Sequence, residues 1–200
     1  MFILVFLRPK IQLMKLLKLP VIIFSVLLSV FIIFYLWAKG PKSSPTEYTT
    51  ITQYREAQFA LPDTFLVMTY NLGYASGMTN NLPVERPKSM IEQNLKHADK
   101  LLSEIKPQII GFQEIDFNSS RSYHMNQMEH IAKESDFAQA AAAVNWDKRY
   151  VPFPYWPLKY NFGDMLSGQA ILSQIGVVSN SRIVLPFPDN NPFYYDSFYL

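Results

Sequence analysis

Between Leu19 and Ala38 the chain carries no charged residue, and most positions are Val, Ile, Leu or Phe. No polar face exists, so a helix built from this stretch is apolar all round and does not suit the surface of a soluble domain. Twenty residues at about 1.5 Å each reach roughly 30 Å, the thickness of a bilayer's hydrocarbon core. Tyr35 and Trp37 stand at one end, where amphipathic rings favour the headgroup level. Secretory signals have a shorter apolar region, about 7–15 residues, and a small-residue cleavage site. Ala38-Lys39-Gly40 makes a poor site. Residues 19–38 are therefore read as an uncleaved transmembrane anchor, residues 1–18 as its cationic leader, and 39–62 as a linker.

Four cations, Arg8, Lys10, Lys15 and Lys18, precede the span, and Lys39 and Lys42 follow it. The positive-inside rule then predicts a single-pass protein of the cell membrane, its N-terminus cytoplasmic and its body outside. Met14-Lys-Leu-Leu-Lys-Leu-Pro20 reads as the natural start of such a leader, which makes Met14 the expected start and residues 1–13 an upstream extension. Gly40-Pro-Lys-Ser-Ser-Pro-Thr46 cannot continue a helix or pack a core. Residues 47–62 are read as lying on the surface, covering a domain edge.

Of 18 basic and 16 acidic residues, the leader takes four basic ones, leaving 14 against 16, a net of −2 for the rest. Such a body lacks the basic footprint of a protein that grips duplex nucleic acid. A small phosphorylated substrate or a lipid headgroup remains compatible. Cysteine is absent, which rules out disulfides and thiolate metal sites.

In the body, Phe65–Tyr70 reads as a strand, apolar and buried on both faces. Asn71-Leu-Gly-Tyr-Ala-Ser-Gly77 is a loop, with Gly73 and Gly77 permitting tight turns. A helix over Ser89–Ile105 presents Ile91, Leu95, Ala98, Leu102 and Ile105 as a core-facing stripe. Lys106-Pro107 ends it. Gln108–Phe112 is the next strand and Gln113–Asp116 its polar tip. Strand, helix, strand in that order predicts a parallel pair, with ligands at the strands' carboxyl ends. Asn71 and Glu114 both stand there. Asn126–Lys133 reads as helical. Ala138–Ala143 has the propensity of a helix, but the break at Ser135-Asp136 and the pattern of Val144-Asn-Trp-Asp147 favour a strand. Val151–Pro157 is an irregular loop, and Gly168–Ser173 and Ile175–Val178 are short strands about a turn.

Hydrolysing a phosphate ester requires neutralised phosphoryl oxygens, an activated water and a stabilised leaving oxygen. One Mg²⁺ supplies much of this while held by only one or two carboxylates. Thr69-Tyr-Asn-Leu72, Gln113-Glu114 and Gly168-Gln-Ala-Ile-Leu-Ser173 resemble, in order and spacing, the first three signatures of the endonuclease/exonuclease/phosphatase superfamily. That group includes DNase I-like nucleases, inositol polyphosphate phosphatases and neutral sphingomyelinases. The resemblance covers roughly residues 63–200. It implies an α/β fold, a DNase I-like sandwich of two sheets flanked by helices, of which this chain holds the N-terminal part. It implies Mg²⁺, or Mn²⁺, bound at Glu114 with Asn71 lining the metal and phosphate site. The family's second half supplies an Asp-x-Asn pair, a further Asp and a Ser-Asp-His segment with the general base, and none is found here. Asp189-Asn-Asn191 lies in a proline-flanked loop and is not that pair. Phe193–Leu200 reads as the start of an edge strand, and the domain as cut within it.

Arg121, Tyr123 and His124 follow the Glu114 strand in a Ser-rich loop and are candidates to bind a substrate phosphate; Arg suits bidentate contact. The competing reading is a solvated loop with a salt bridge. Asp116 is either a partner behind the site or a surface acid. His97 and His130 sit in helical patterns and are read as surface or satisfied positions. Tyr150, Phe153, Tyr155, Trp156 and Tyr160 either pack over the core or form a wall facing substrate or membrane. Asn145 and Asp164 receive no role. Two functions follow as expectations. One is a membrane-anchored, Mg²⁺-dependent phosphoesterase acting on a lipid-like or small phosphorylated substrate, with nuclease activity as a variant. The other is an inactive fragment or binding remnant of the family, and the 200 residues alone are expected to lack turnover.

Overall fold

The structure, a computed structural model, describes residues 9–60 and 62–183, with side chains from Lys18 onward. Residues 1–8, Asp189-Asn-Asn191 and the strand expected over 193–200 lie outside the described residues. The chain divides into two units, residues 1–38 and 39–200. In the first, helix α1 runs from Pro9 to Ala38. Its Lys18–Ala38 portion is long and apolar enough to be a membrane span or a signal sequence. Ser29 returns its hydroxyl to the Ser25 carbonyl at 2.8 Å, which removes a polar group from the helix surface.

The second unit is mixed α/β. Its strands are β1 (Thr49–Gln53), β2 (Val67–Asn71), β3 (Ile109–Asp116), β4 (Gln139–Val151) and β5 (Gly163–Ser173), with helices α2 (Lys88–Ile105) and α3 (Gln127–Glu134). They form one five-stranded sheet in the order β1-β4-β5-β3-β2. β2 and β3 are parallel, joined through α2 as the sequence predicts, and the other pairings are antiparallel.

Side chains alternate across a strand, and among the described residues one face of the sheet meets the helices. Ile110 and Phe112 of β3, Ala170 and Leu172 of β5, and Ala140 and Ala142 of β4 are buried in one cluster with Ile91, Leu95, Ala98 and Leu102 of α2 and Ile131 of α3. Each large member contributes about 1.5–3 kcal/mol by leaving water. The α2 stripe is as predicted except at its end, where Ile105 is exposed. Lys106 closes the helix in the left-handed conformation, φ 53°. Asn126 caps α3 by accepting from the Glu129 amide at 3.0 Å. The other face carries Ile51, Val67, Ile109, Gly111 and Ile171; Val67 and Ile171 are half-exposed.

The structure departs from the sequence reading at four places. β2 is an edge strand with exposed positions rather than one buried on both faces. Apolar content alone does not distinguish a central strand from an edge beside an open face. The polar tip Gln113–Asp116 continues β3 across an irregularity between Phe112 and Ile115. Gln139–Ala143 lies in β4, the strand that the break at Ser135-Asp136 favours, and there sheet pairing overrides the helix propensity of its alanines. The segment read as linker holds a helical turn, Pro45–Glu47, and β1, whose β-branched Thr49-Thr-Ile-Thr52 pairs along Ala140–Ala143. After β5, Ile175 makes a single bridge to Gln58 instead of starting a strand.

Between α2 and α3, His130 Nε2 lies 3.0 Å from Asp99 Oδ2. Burial pushes the Asp99 carboxyl above its usual range, with His130 opposing the shift and Glu134 adding to it. A carboxyl raised on folding holds its proton more tightly in the folded state. Stability therefore falls as pH climbs from the ordinary carboxylate value through the raised one. Asp99→Asn is expected to match the parent protein in acid and exceed it near neutrality, as read by urea denaturation at both pH values. A variant less stable at neutral pH would mean that the ion pair with His130 outweighs the burial.

Candidate functional site

Asn71 and Gln113 are register partners at the carboxyl ends of two parallel strands. The Leu72 amide donates to the Gln113 carbonyl at 2.9 Å, carrying the pairing one residue further. At the next residue of β3 the ladder breaks. Glu114 adopts φ 52° inside the strand, a left-handed conformation that costs an L-residue roughly 1–2 kcal/mol. Irregularities of this kind re-aim a side chain and concentrate beside functional sites. The Asn80 amide donates to Glu114 Oε2 at 3.1 Å. Among the described residues, Glu114 Oε1 has no partner.

Asn71 Oδ1 accepts from the Gly73 amide at 2.9 Å, an Asx turn that starts the following loop. One lone pair of that oxygen is thus committed, and the amide nitrogen is left as a donor. Gly73, Tyr74, Ala75 and Gly77 all have positive φ, so the whole loop is tightly wound. Gly168, in the third signature, serves the sheet. A Cβ there would stand 2.0 Å from the Ala143 carbonyl oxygen, in the neighbouring strand.

A buried polar network ties this loop to the one after β3. Asp116, with no exposed side-chain surface, accepts from Arg121 Nε at 3.1 Å, Arg121 Nη2 at 2.9 Å and Ser119 Oγ at 2.8 Å. Its amide donates to Gln127 Oε1 at 3.0 Å, and Gln127 Nε2 donates to the Tyr74 carbonyl at 2.8 Å. The Arg121 guanidinium also stacks on the Tyr74 ring, 3.3 Å from its centroid. Burial pushes the Tyr74 phenol up, against the pull of Arg121. Arg121 is therefore committed to Asp116 and largely buried, so the salt-bridge reading of that loop describes the side chain better than an open phosphate ligand. Asp116 is no surface acid.

Tyr123, half-exposed, donates its hydroxyl to the Arg86 carbonyl at 2.7 Å. His124 Nδ1 lies 2.7 Å from Asn118 Oδ1, and its Nε2 is 3.9 Å from Asp164. Asp164 pairs with Lys42 and accepts from Ser120 Oγ. His130 and the exposed His97 are as read from sequence.

A cavity of about 380 Å³ lies alongside, lined by Arg86, Ser120, Arg121, Tyr123, Lys159 and Asn161 among others. Arg86 Nη2 donates to the carbonyls of Thr79, Asn80 and Leu82, clamping the turn from which Asn80 holds Glu114. Burial lowers the Arg86 guanidinium from its ordinary value, and the neighbouring Arg121 lowers it further. A guanidinium whose charge is disfavoured by burial and by a neighbouring cation is a spot that an anion relieves. Arg86, Asn80 and Lys159 escape sequence reading because Asn80 and Arg86 are brought back to the site by the fold of the β2–α2 connection and Lys159 reaches it from the β4–β5 loop.

Mg²⁺ commonly takes one or two carboxylates, keeps water and uses substrate phosphate for the rest. Glu114, with one carboxylate oxygen open, fits that pattern. No group of three His, Asp or Glu converges among the described residues. Compared with protein-family models, curated proteins and solved structures, the chain matches none.

Proposed function

We propose that the carboxyl edge of β2 and β3 is a divalent-metal phosphoesterase site, carried outside the cytoplasm on a membrane span formed by residues 19–38. The observation that carries the reading is Glu114, held at a strained φ with one carboxylate oxygen open, beside Asn71 and linked through Asn80 to the Arg86 guanidinium of the cavity. The resemblance of the three signatures to the endonuclease/exonuclease/phosphatase superfamily supports it. Glu114 would hold Mg²⁺ or Mn²⁺, with Asn71 donating its amide to a phosphate oxygen. The ion's chemistry there is charge neutralisation and activation of water. Arg86 and Lys159 draw the phosphate's negative charge into the cavity. A lipid-like or small phosphorylated substrate suits a body of net charge −2 better than duplex DNA does.

A second reading, a phosphate-binding remnant without turnover, is favoured by one observation: no histidine contacts Glu114 among the described residues. The two readings separate on purified full-length chain in detergent, assayed on a phosphodiester lipid and on plasmid DNA with Mg²⁺ or with chelator. Metal-dependent lipid cleavage supports the first; cleavage of DNA alone makes the protein a nuclease. Phosphate binding without turnover of either establishes the second.

The fold reading extends to a two-sheet sandwich, with a second sheet covering the face that carries Ile51, Val67, Ile109 and Ile171. The exposure of Ile51, Val67 and Ile171 supports it. Ile171→Asp would then cost about 2–4 kcal/mol of stability through an unpaired buried carboxylate. On an uncovered face it would cost within about 0.5 kcal/mol. Urea denaturation of the variant decides between them.

A further inference from the structure

The residues that follow α1 are stitched to the closed end of the β4–β5 hairpin. The Arg149 amide donates to the Gly40 carbonyl at 3.0 Å and Lys148 Nζ to the Lys39 carbonyl at 3.3 Å. Asp147 receives the Lys42 amide at 2.6 Å and the Ser43 amide at 2.8 Å. Lys42 Nζ reaches Asp164 on the other strand. These residues stand one to five positions beyond Ala38, where the apolar helix ends. Two residues past Arg149, about 7 Å along the strand, β4 ends at Val151 and the hairpin loop begins.

That loop, Pro152-Phe-Pro-Tyr-Trp-Pro-Leu-Lys-Tyr160, contains no acid. Phe153 anchors it by packing on Phe162, ring centroids 5.4 Å apart. Beyond this anchor Tyr155 is 67% exposed, Trp156 75% and Leu158 63%. Three large apolar side chains on one short loop are costly to leave in water, whereas Tyr and Trp are favoured where lipid meets water. Exposed Arg149 and Lys159 flank them, cations suited to lipid phosphates.

We propose that Tyr155, Trp156 and Leu158 form a second membrane contact, inserting at the headgroup–acyl boundary of the bilayer that α1 spans. This rests on the reading of residues 19–38 as a span. Lys39–Ser43, which follow Ala38 directly in sequence, are bonded to the same hairpin that carries the loop, so only a short stretch of chain separates the end of the apolar helix from the hairpin. Lys159 and Asn161 belong both to this loop region and to the cavity wall. The contact therefore sets the cavity beside lipid headgroups and specifies a lipid-borne phosphate as its ligand.

The absence of cysteine allows single labels to be placed cleanly. Full-length chain carrying an NBD label at Leu158→Cys, Ile33→Cys or Lys100→Cys is reconstituted in phosphatidylcholine/phosphatidylserine vesicles containing doxyl-labelled lipid. The Leu158 label is expected to shift to the blue and to be quenched more by a headgroup-level doxyl than by one deep in the acyl chain. The Lys100 label, on the exposed side of α2, should stay water-like. A water-like Leu158 label beside a quenched Ile33 label overturns the proposal and leaves the span intact. A blue-shifted but unquenched Leu158 label also overturns it, because the loop is then covered by protein. An unquenched Ile33 label removes the span and the proposal with it.

Discussion

Truncating Arg121 to alanine is expected to destabilise the domain by about 3–5 kcal/mol, the range for removing one partner of a buried ion pair. In a domain of this size that corresponds to roughly 10 °C or more in Tm. Arg121 is 5% exposed at its side chain and Asp116 not at all, so Arg121→Ala leaves a carboxylate in the interior with only Ser119 to satisfy it. The effect extends past the pair. Asp116 positions Gln127 through its amide, and Gln127 holds the Tyr74 carbonyl, so the wound loop after β2 loosens too. Arg121→Lys should recover little, because an ammonium cannot reproduce the two-pronged contact or the stack on Tyr74. Asp116→Leu combined with Arg121→Met is expected to cost less than Arg121→Ala alone, since no unpaired charge remains. Thermal denaturation of the three variants checks the order. Equal losses in all three would show that the site contributes packing and not charge pairing.

Replacing Glu114 should separate activity from stability. If Glu114 holds the metal of the proposed phosphoesterase site, Glu114→Gly removes several kcal/mol of transition-state stabilisation. The hydrolysis rate then drops by about 10²–10³-fold. Most single losses in a folded domain also destabilise it. This one is expected not to, because glycine adopts φ 52° without the roughly 1–2 kcal/mol that a side chain costs there. That gain offsets the hydrogen bond lost from Asn80, worth about 1 kcal/mol. Glu114→Gln keeps the backbone strain and should lose activity with little change in denaturation midpoint. The measurement is turnover beside Tm for both variants. A Glu114→Gly protein that melts several degrees lower would show the glutamate to be a structural residue.

Legibility in the sequence follows the range of the interactions. The α2 stripe, its stop at Lys106-Pro107 and the parallel strands either side are local patterns, and sequence reading finds all three. It also finds Asn71 and Glu114 at neighbouring carboxyl ends, because strand termini follow from apolar runs. The conformation of Glu114 is invisible, since the bulge arises where β3 must pair with β2 on one side and β5 on the other. The edge position of β2 is equally hidden, as Phe65–Tyr70 is as apolar as a central strand. Arg121 was found as a residue but not as a role. Its partner Asp116 is five positions away across a loop, a spacing that no helix or strand period would pair. Arg86 and Lys159 carry no local signal at all. Whether the three signatures mark the family's chemistry rests on activity, and the assays above address it.

The pairing of β1 also dictates a sequence in time. Thr49–Gln53 leaves the ribosome about ninety residues ahead of Gln139–Ala143, its partner in the sheet. At roughly 5–20 residues per second, that edge strand waits on the order of five to twenty seconds with its amides unpaired. Stretches of this kind recruit other chains when they are apolar. Thr49-Thr-Ile-Thr-Gln53 has one large apolar side chain in five, a composition that tolerates the delay in water until the hairpin arrives.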